Sequence, residues 1–191
     1  MKIAIMLLVC IVAFPALAQT QIENVELTAL FKADQSARQS KNIDWQKLQS
    51  EDEQRRQQVR QMIDKGEVRT GIDYFHAALI FQHGQSADDF LFAHVLAMDA
   101  TALGYKDARW LSAATLDRYL LTISRPQIFG TQFEPVQGKS NYWEHRKIDA
   151  VLLPDSARNA LCVMSMEAQE KNLEEAGRAG TFHGTSLPNC K

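Results

Sequence analysis

The apolar and polar positions fall into their clearest order between Gly71 and Phe133, where three amphipathic helical patterns follow one another. Ile72, Phe75, Leu79 and Gln82/His83 share one helical face, and Gly84 closes that segment. Ser86 then caps the next helix, with Asp88 and Asp89 in its first turn and Leu91, His94/Val95, Met98 and Ala102 as its expected inner side. Gly104-Tyr105 breaks it. A third pattern carries Trp110, Ala114, Asp117 and Leu121 at 4-3-4 spacing and ends at Arg125-Pro126. The short connections predict antiparallel neighbours, and Ala77, Ala78, Ala93, Ala97, Ala113 and Ala114 permit close helix approach. No second copy occurs at a fixed period, so this is not read as a repeat protein.

Upstream, Glu23 to Arg38 has helical spacing through Val25, Leu27, Leu30 and Phe31. Asp34 and Arg38 stand four apart and are read as an exposed pair worth a few tenths of a kcal/mol. Asn42 or Asp44 caps a long helix that stops at Gly66. Its stripe runs Trp45, Leu48, Asp52, Arg55/Arg56, Val59 and Met62/Ile63, an apolar spacing with charges in its middle. Either the stripe splays open there or these charges reach a polar cavity.

Downstream, Phe129–Val136 and Asn141–Ile148 predict a hairpin around Gln137-Gly138-Lys139-Ser140, with Pro135 on an edge strand. Asp155 is expected to cap a short helix through Leu161, and Ser165 another through about Ala176, before Gly177. The expected fold is mainly α: antiparallel helical hairpins or a bundle, with a small β-hairpin near residues 129–148.

The first residues change the picture of location. Lys2, an uncharged apolar run from Ile3 to Phe14, Pro15 and then Ala16-Leu17-Ala18 make a secretory signal peptide over residues 1–18, with cleavage expected before Gln19. Twelve apolar residues are too few to span a bilayer. Residues 19–191 form a single helical domain, exported to the periplasm or secreted. They hold 20 basic against 23 acidic residues, a mild acidic balance that argues against a nucleic-acid surface. Cys162 and Cys190 remain after cleavage and suggest a disulfide in an oxidising compartment, worth about 3.5 kcal/mol through loop closure. Two free thiols are the alternative.

The inward polar residues are the candidate chemistry: Asp52, Arg55, Arg56, Gln82, His83, His94, Asp117 and Arg118. Ionisable groups turned toward an apolar interior must pair or face a water-filled cleft. They are expected to converge near the end of the helix that carries Asp117. His83 and His94 flank one short turn and, with Asp117, offer a base and an orienting carboxylate. Gln127, Gly130, Thr131 and Gln132 form a polar loop that either lines a ligand site or bonds the ends of helices. His76 and His83 lie seven apart, about 10 Å along a helix, too far to share a metal ion. HExxH and GxSxG are absent, and neither a metal nor a cofactor is expected.

Asp34-Gln35-x-x-Arg38, Asp52 with Arg55-Arg56, Gln82-His83, Asp117-Arg118, Pro126-Gln127, Phe129-Gly130-Thr131-Gln132 and Asp155-x-x-Arg158 together resemble an uncharacterised bacterial family known as domain of unknown function 6624. The resemblance spans roughly residues 30–170 and implies a mostly helical domain, with no established activity. Two functions stay open. The favoured one is a non-enzymatic binding or interaction module for a small molecule or protein, with no nucleic acid and no membrane after signal cleavage, because no recognisable nucleophile accompanies the acid–arginine network. The other is a hydrolase-like enzyme using His83 and Asp117 with the Gly130-Thr131-Gln132 loop.

Overall fold

The computed structural model describes residues 22–179 and 184–187; the expected signal peptide and Cys190 lie outside the described residues. Seven helices and one small sheet follow in order: α1 Val25–Ala37, α2 Trp45–Asp64, α3 Gly71–Phe81, α4 Ala87–Ala102, α5 Ala108–Thr122, β1 Phe133–Pro135, β2 Trp143–His145, α6 Asp155–Ala160 and α7 Met166–Ala179. The fold is therefore mainly α with a two-stranded antiparallel sheet, in which Pro135 faces Trp143 and Phe133 faces His145. Among the described residues, no helix is long and apolar enough to cross a membrane.

Local chemistry sets the boundaries. Asp44 caps α2 by accepting from the Lys47 N–H, and Gly66 leaves that helix with φ +69°, a conformation cheap only for glycine. Thr70 with Asp73, and Ser86 with Asp89, form two capping boxes that start α3 and α4. Asp73 also accepts from the Asn24 N–H at 2.8 Å, which ties the start of α1 to the start of α3. Burial by itself would raise the Asp73 carboxyl, but its hydrogen bonds from Asn24, Thr70 and Arg69 outweigh that and hold it below its ordinary value.

The main core lies where α1, α2, α3 and α4 meet, around Leu27, Val59, Met62, Ile80, Phe81 and Leu96, with Leu111 of α5 joining it. A smaller core around Ala113, Phe129 and Val163 binds α5 to the loop after it and to the segment between α6 and α7. Packing of α4 corrects an expectation. Its buried face is Ala93, Leu96, Ala97 and Ala100, whereas Leu91, Val95 and Met98 are exposed. Because α4 packs against both α3 and α5, its smallest side chains face its neighbours so that the backbones can approach; the bulkier residues are displaced outward. Trp45, expected in the α2 stripe, is 70% exposed at the start of that helix. Asp155 gives no side-chain cap to α6; it accepts instead from the Met166 N–H at the start of α7. α7 also runs through Gly177, where the missing side chain leaves room for the Tyr142 ring.

Gly130, in the loop after α5, has φ +82°, and an added Cβ would collide with Gln169 Oε1. Gly130→Ala is expected to cost about 2–4 kcal/mol, combining left-handed strain with overpacking. Gly138→Ala at the hairpin tip, where φ is +76° and nothing lies within 4 Å, should cost only about 1–2 kcal/mol. Urea denaturation of both variants checks the difference. His145 gives a second expectation. Its ring packs on Phe133, centroids 4.7 Å apart, and both ring nitrogens are buried without a hydrogen-bond partner among the described residues. Burial, helped by the charge of Arg158, lowers it from 6.5 to about 4. Between those values the unfolded chain binds a proton that the folded chain refuses, so stability falls as pH drops through that window. His145→Phe should flatten the fall, read as the difference in urea midpoint between the two ends of the window.

Candidate functional site

The polar residues of α1, α2 and the α3–α4 turn gather around one carboxylate. Asp34, seven residues after Leu27 on the same face of α1, has no exposed surface. Its Oδ1 accepts from Arg38 Nη1 at 3.0 Å and its Oδ2 from Gln35 Nε2 at 2.8 Å. His83 Nδ1 stands 3.2 and 3.0 Å from the two oxygens, and Arg55 Nε lies 3.7 Å from Oδ1. Asp52, one helix over, is held by the same two arginines: Arg38 Nη2 and Arg55 Nη2 each donate to it at 2.6 Å. Arg38 and Arg55 thus bridge two buried acids, which is how charge tolerates the α2 stripe. Arg56 turns to the other side. It donates to Glu53 at 2.5 Å and to the His83 carbonyl at 3.4 Å, and its Nε faces Asp89 at 3.5 Å.

The pair Asp34–Arg38 is therefore not the exposed pair that its spacing suggested. It sits at the centre of the network, and the continuation of the Leu27, Leu30/Phe31 stripe to Asp34 was the signal for that burial.

Above this network a cleft of about 260 Å³ opens to solvent. Arg38, Asp52, Gln82, His83, Gln85 and Arg118 supply most of its polar wall, with Trp45 among the other lining residues. His83 Nδ1 carries the proton that faces the Asp34 oxygens, and in the neutral ring that tautomer leaves the Nε2 lone pair free. The guanidinium of Arg118 makes no hydrogen bond or ion pair among the described residues, and its Nε is buried without a partner. Burial lowers Arg118 from its ordinary value, and the nearby charge of Arg146 adds to the effect. Two larger depressions, of about 410 and 420 Å³, flank Arg56, but there Arg56 pairs with Glu53 and Asp89, and Arg60, which lines the second, lies over the Phe81 and Phe92 rings.

The remaining expected site residues lie elsewhere. Asp117, fully buried, accepts the N–H groups of Ile128 and Phe129 on Oδ1 and the N–H and hydroxyl of Thr131 on Oδ2, all at 2.8–3.0 Å. Burial pushes its carboxyl up, against four hydrogen bonds that favour the charged form. Gln127 donates to the Gln132 and Arg146 carbonyls and accepts from the Gln132 N–H, while Gln132 donates to Thr131 Oγ1 at 3.0 Å. Of the two expectations for this loop, the geometry follows the structural one: Gln127, Thr131 and Gln132 fasten it to the end of α5. The orienting carboxylate of His83 is Asp34, not Asp117. His94 Nδ1 meets the Ser112 carbonyl at 2.9 Å, bonding α4 to α5, and lines none of these clefts.

Arg158 and Gln169 extend that second centre and were missed as buried residues. Arg158, 1% exposed, donates to the carbonyls of Leu153, Ile128 and Ala150. Gln169 donates to those of Phe129 and Met164. The described residues contain no group of three or more His, Cys, Asp or Glu side chains placed to hold a metal ion.

Comparison with family models, with curated proteins and with solved structures gives no match.

Two substitutions separate the centres. Asp34→Ala should cost about 3–5 kcal/mol, because it strands buried cationic partners. Asp117→Asn should cost about 1–3 kcal/mol, since its amide faces a donor it cannot accept from. Chemical denaturation of each variant measures the loss.

Proposed function

We propose that this chain is an exported, non-enzymatic binding module whose cleft between α2, the α3–α4 turn and α5 receives a small polar ligand. One observation carries the reading: the inward Asp/Arg/His network does not close on itself. It ends in a cleft where the Arg118 guanidinium is left unpaired, at a cost in desolvation that no contact within the described residues offsets. The likeness to domain of unknown function 6624 belongs to the same proposal, since its Asp34, Arg38, Asp52, Gln82, His83 and Arg118 are the residues gathered there.

Export rests on the signal peptide read over residues 1–18, and a Cys162–Cys190 disulfide accords with it. The Leu187 N–H donates to the Cys162 carbonyl at 2.8 Å. That bond brings the tail to within three residues of Cys190, within reach of the 4.4–6.8 Å Cα separation that a disulfide needs. A mass gain of about 2 Da on reduction of the intact protein supports the bridge; no gain counts against it.

A second reading, acid–base catalysis, has one observation of its own: Asp34 orients His83 so that a free ring nitrogen is left beside the cleft. Among the described residues no serine, threonine, cysteine or lysine lines that cleft, and both oxygens of Asp52 are held by arginines, so such chemistry would act through water or by proton transfer.

Stability separates a ligand cleft from a purely structural network. Arg118→Met should leave the urea midpoint unchanged or raise it, because it removes a buried charge that has no partner. Arg55→Met should lose about 3–5 kcal/mol, because it strands Asp34 and Asp52. Equal losses from both would sink the proposal.

A further inference from the structure

We infer that the cleft is an oxyanion site, and that it selects an anion of the phosphate class that carries a hydroxyl beside its charged oxygens. This rests on the binding reading above and names its ligand chemistry. Charge comes first. Arg38 and Arg118 face one carboxylate, Asp52, across the cleft wall, and both oxygens of that carboxylate already accept from arginines at 2.6 Å. What is left for a ligand is a net positive wall with one guanidinium that has no partner among the described residues. A guanidinium presents its donors as a planar fork that matches two oxygens of one tetrahedral or carboxylate group.

Hydrogen-bond polarity then narrows the class. Gln82 has no side-chain hydrogen bond among the described residues, so its amide can donate to an anion beside Arg118. His83 contributes the opposite polarity. With its Nδ1 proton turned to Asp34, the neutral ring presents Nε2 as an acceptor. An acceptor beside a guanidinium repels a fully deprotonated anion and favours one that brings its own O–H. Monohydrogen phosphate and singly protonated phosphate esters do so. Sulfate, with the same shape and charge, does not, and neither does an ionised carboxylate.

Titration calorimetry of the mature chain with inorganic phosphate, sulfate and acetate tests this, at mildly alkaline pH where phosphate and sulfate are both dianions. Phosphate should bind saturably and at least about tenfold more tightly than sulfate or acetate, the worth of one hydrogen bond to a charged group. Arg118→Met should weaken phosphate by about tenfold or more. Absence of saturable phosphate binding, equal affinity for sulfate, or phosphate binding unchanged in Arg118→Met each overturns the inference. The phosphate–sulfate comparison uses the unaltered protein and stands whether or not the variant folds. If Arg118→Met keeps full stability yet none of the three anions binds, the oxyanion assignment fails while the cleft reading survives. If Arg118→Met also unfolds as readily as Arg55→Met, both fail.

Discussion

The structure depends on a carboxylate with no access to water. Asp34 is fully buried and has no backbone donor among the described residues, so its charge must be met by side chains. Arg38 comes from its own helix, Arg55 from α2 and His83 from the α3–α4 turn, and these three contacts fix how the three segments sit together. A buried acid tolerates only a narrow set of arrangements, because a displaced partner leaves a desolvated charge behind. The demand propagates: the arginines that satisfy Asp34 also satisfy Asp52, and the histidine that touches it is turned so that its other nitrogen is free.

Asp117 answers the same problem with different partners. Its four acceptor positions are filled by three backbone N–H groups and one hydroxyl, all from residues 128–131. That arrangement is closed. It holds the loop after α5 as a rigid bracket on which the hairpin, α6 and α7 are hung, with Arg158 and Gln169 collecting the loop carbonyls on its far side. One acid therefore organises an open, partly unsatisfied surface, and the other a sealed joint. Only the open one turns unspent hydrogen-bonding capacity toward a cleft.

The two centres are divided by a single helical step. Asp117 and Arg118 are adjacent, and adjacent side chains on an α-helix point about 100° apart. Asp117 is turned into the loop, and Arg118 reaches the cleft that α2 and the α3–α4 turn build. The alanine faces of α3, α4 and α5 bring these helices close together, and α5 makes its own contact with α3, the helix that ends at Gln82 and His83.

Much of this was written in the residue order. The helix count and most helix limits, a small hairpin within residues 129–148, the Ser86 cap, and the inward turn of Asp52, Arg55 and Arg56 follow from spacing and from local hydrogen bonding, which act within a few residues. Which side of α4 is inside did not follow, because hydrophobicity favours leucine and methionine while close packing favours alanine, and only the neighbouring helices decide between them. Nor did the partition of the polar residues. Periodicity says that a charge faces inward; it does not say which distant group meets it. That Asp34 rather than Asp117 takes His83, and that Arg118 is left without a partner, was decided by segments 49 and more residues apart coming together, since a salt bridge is a property of two positions in space.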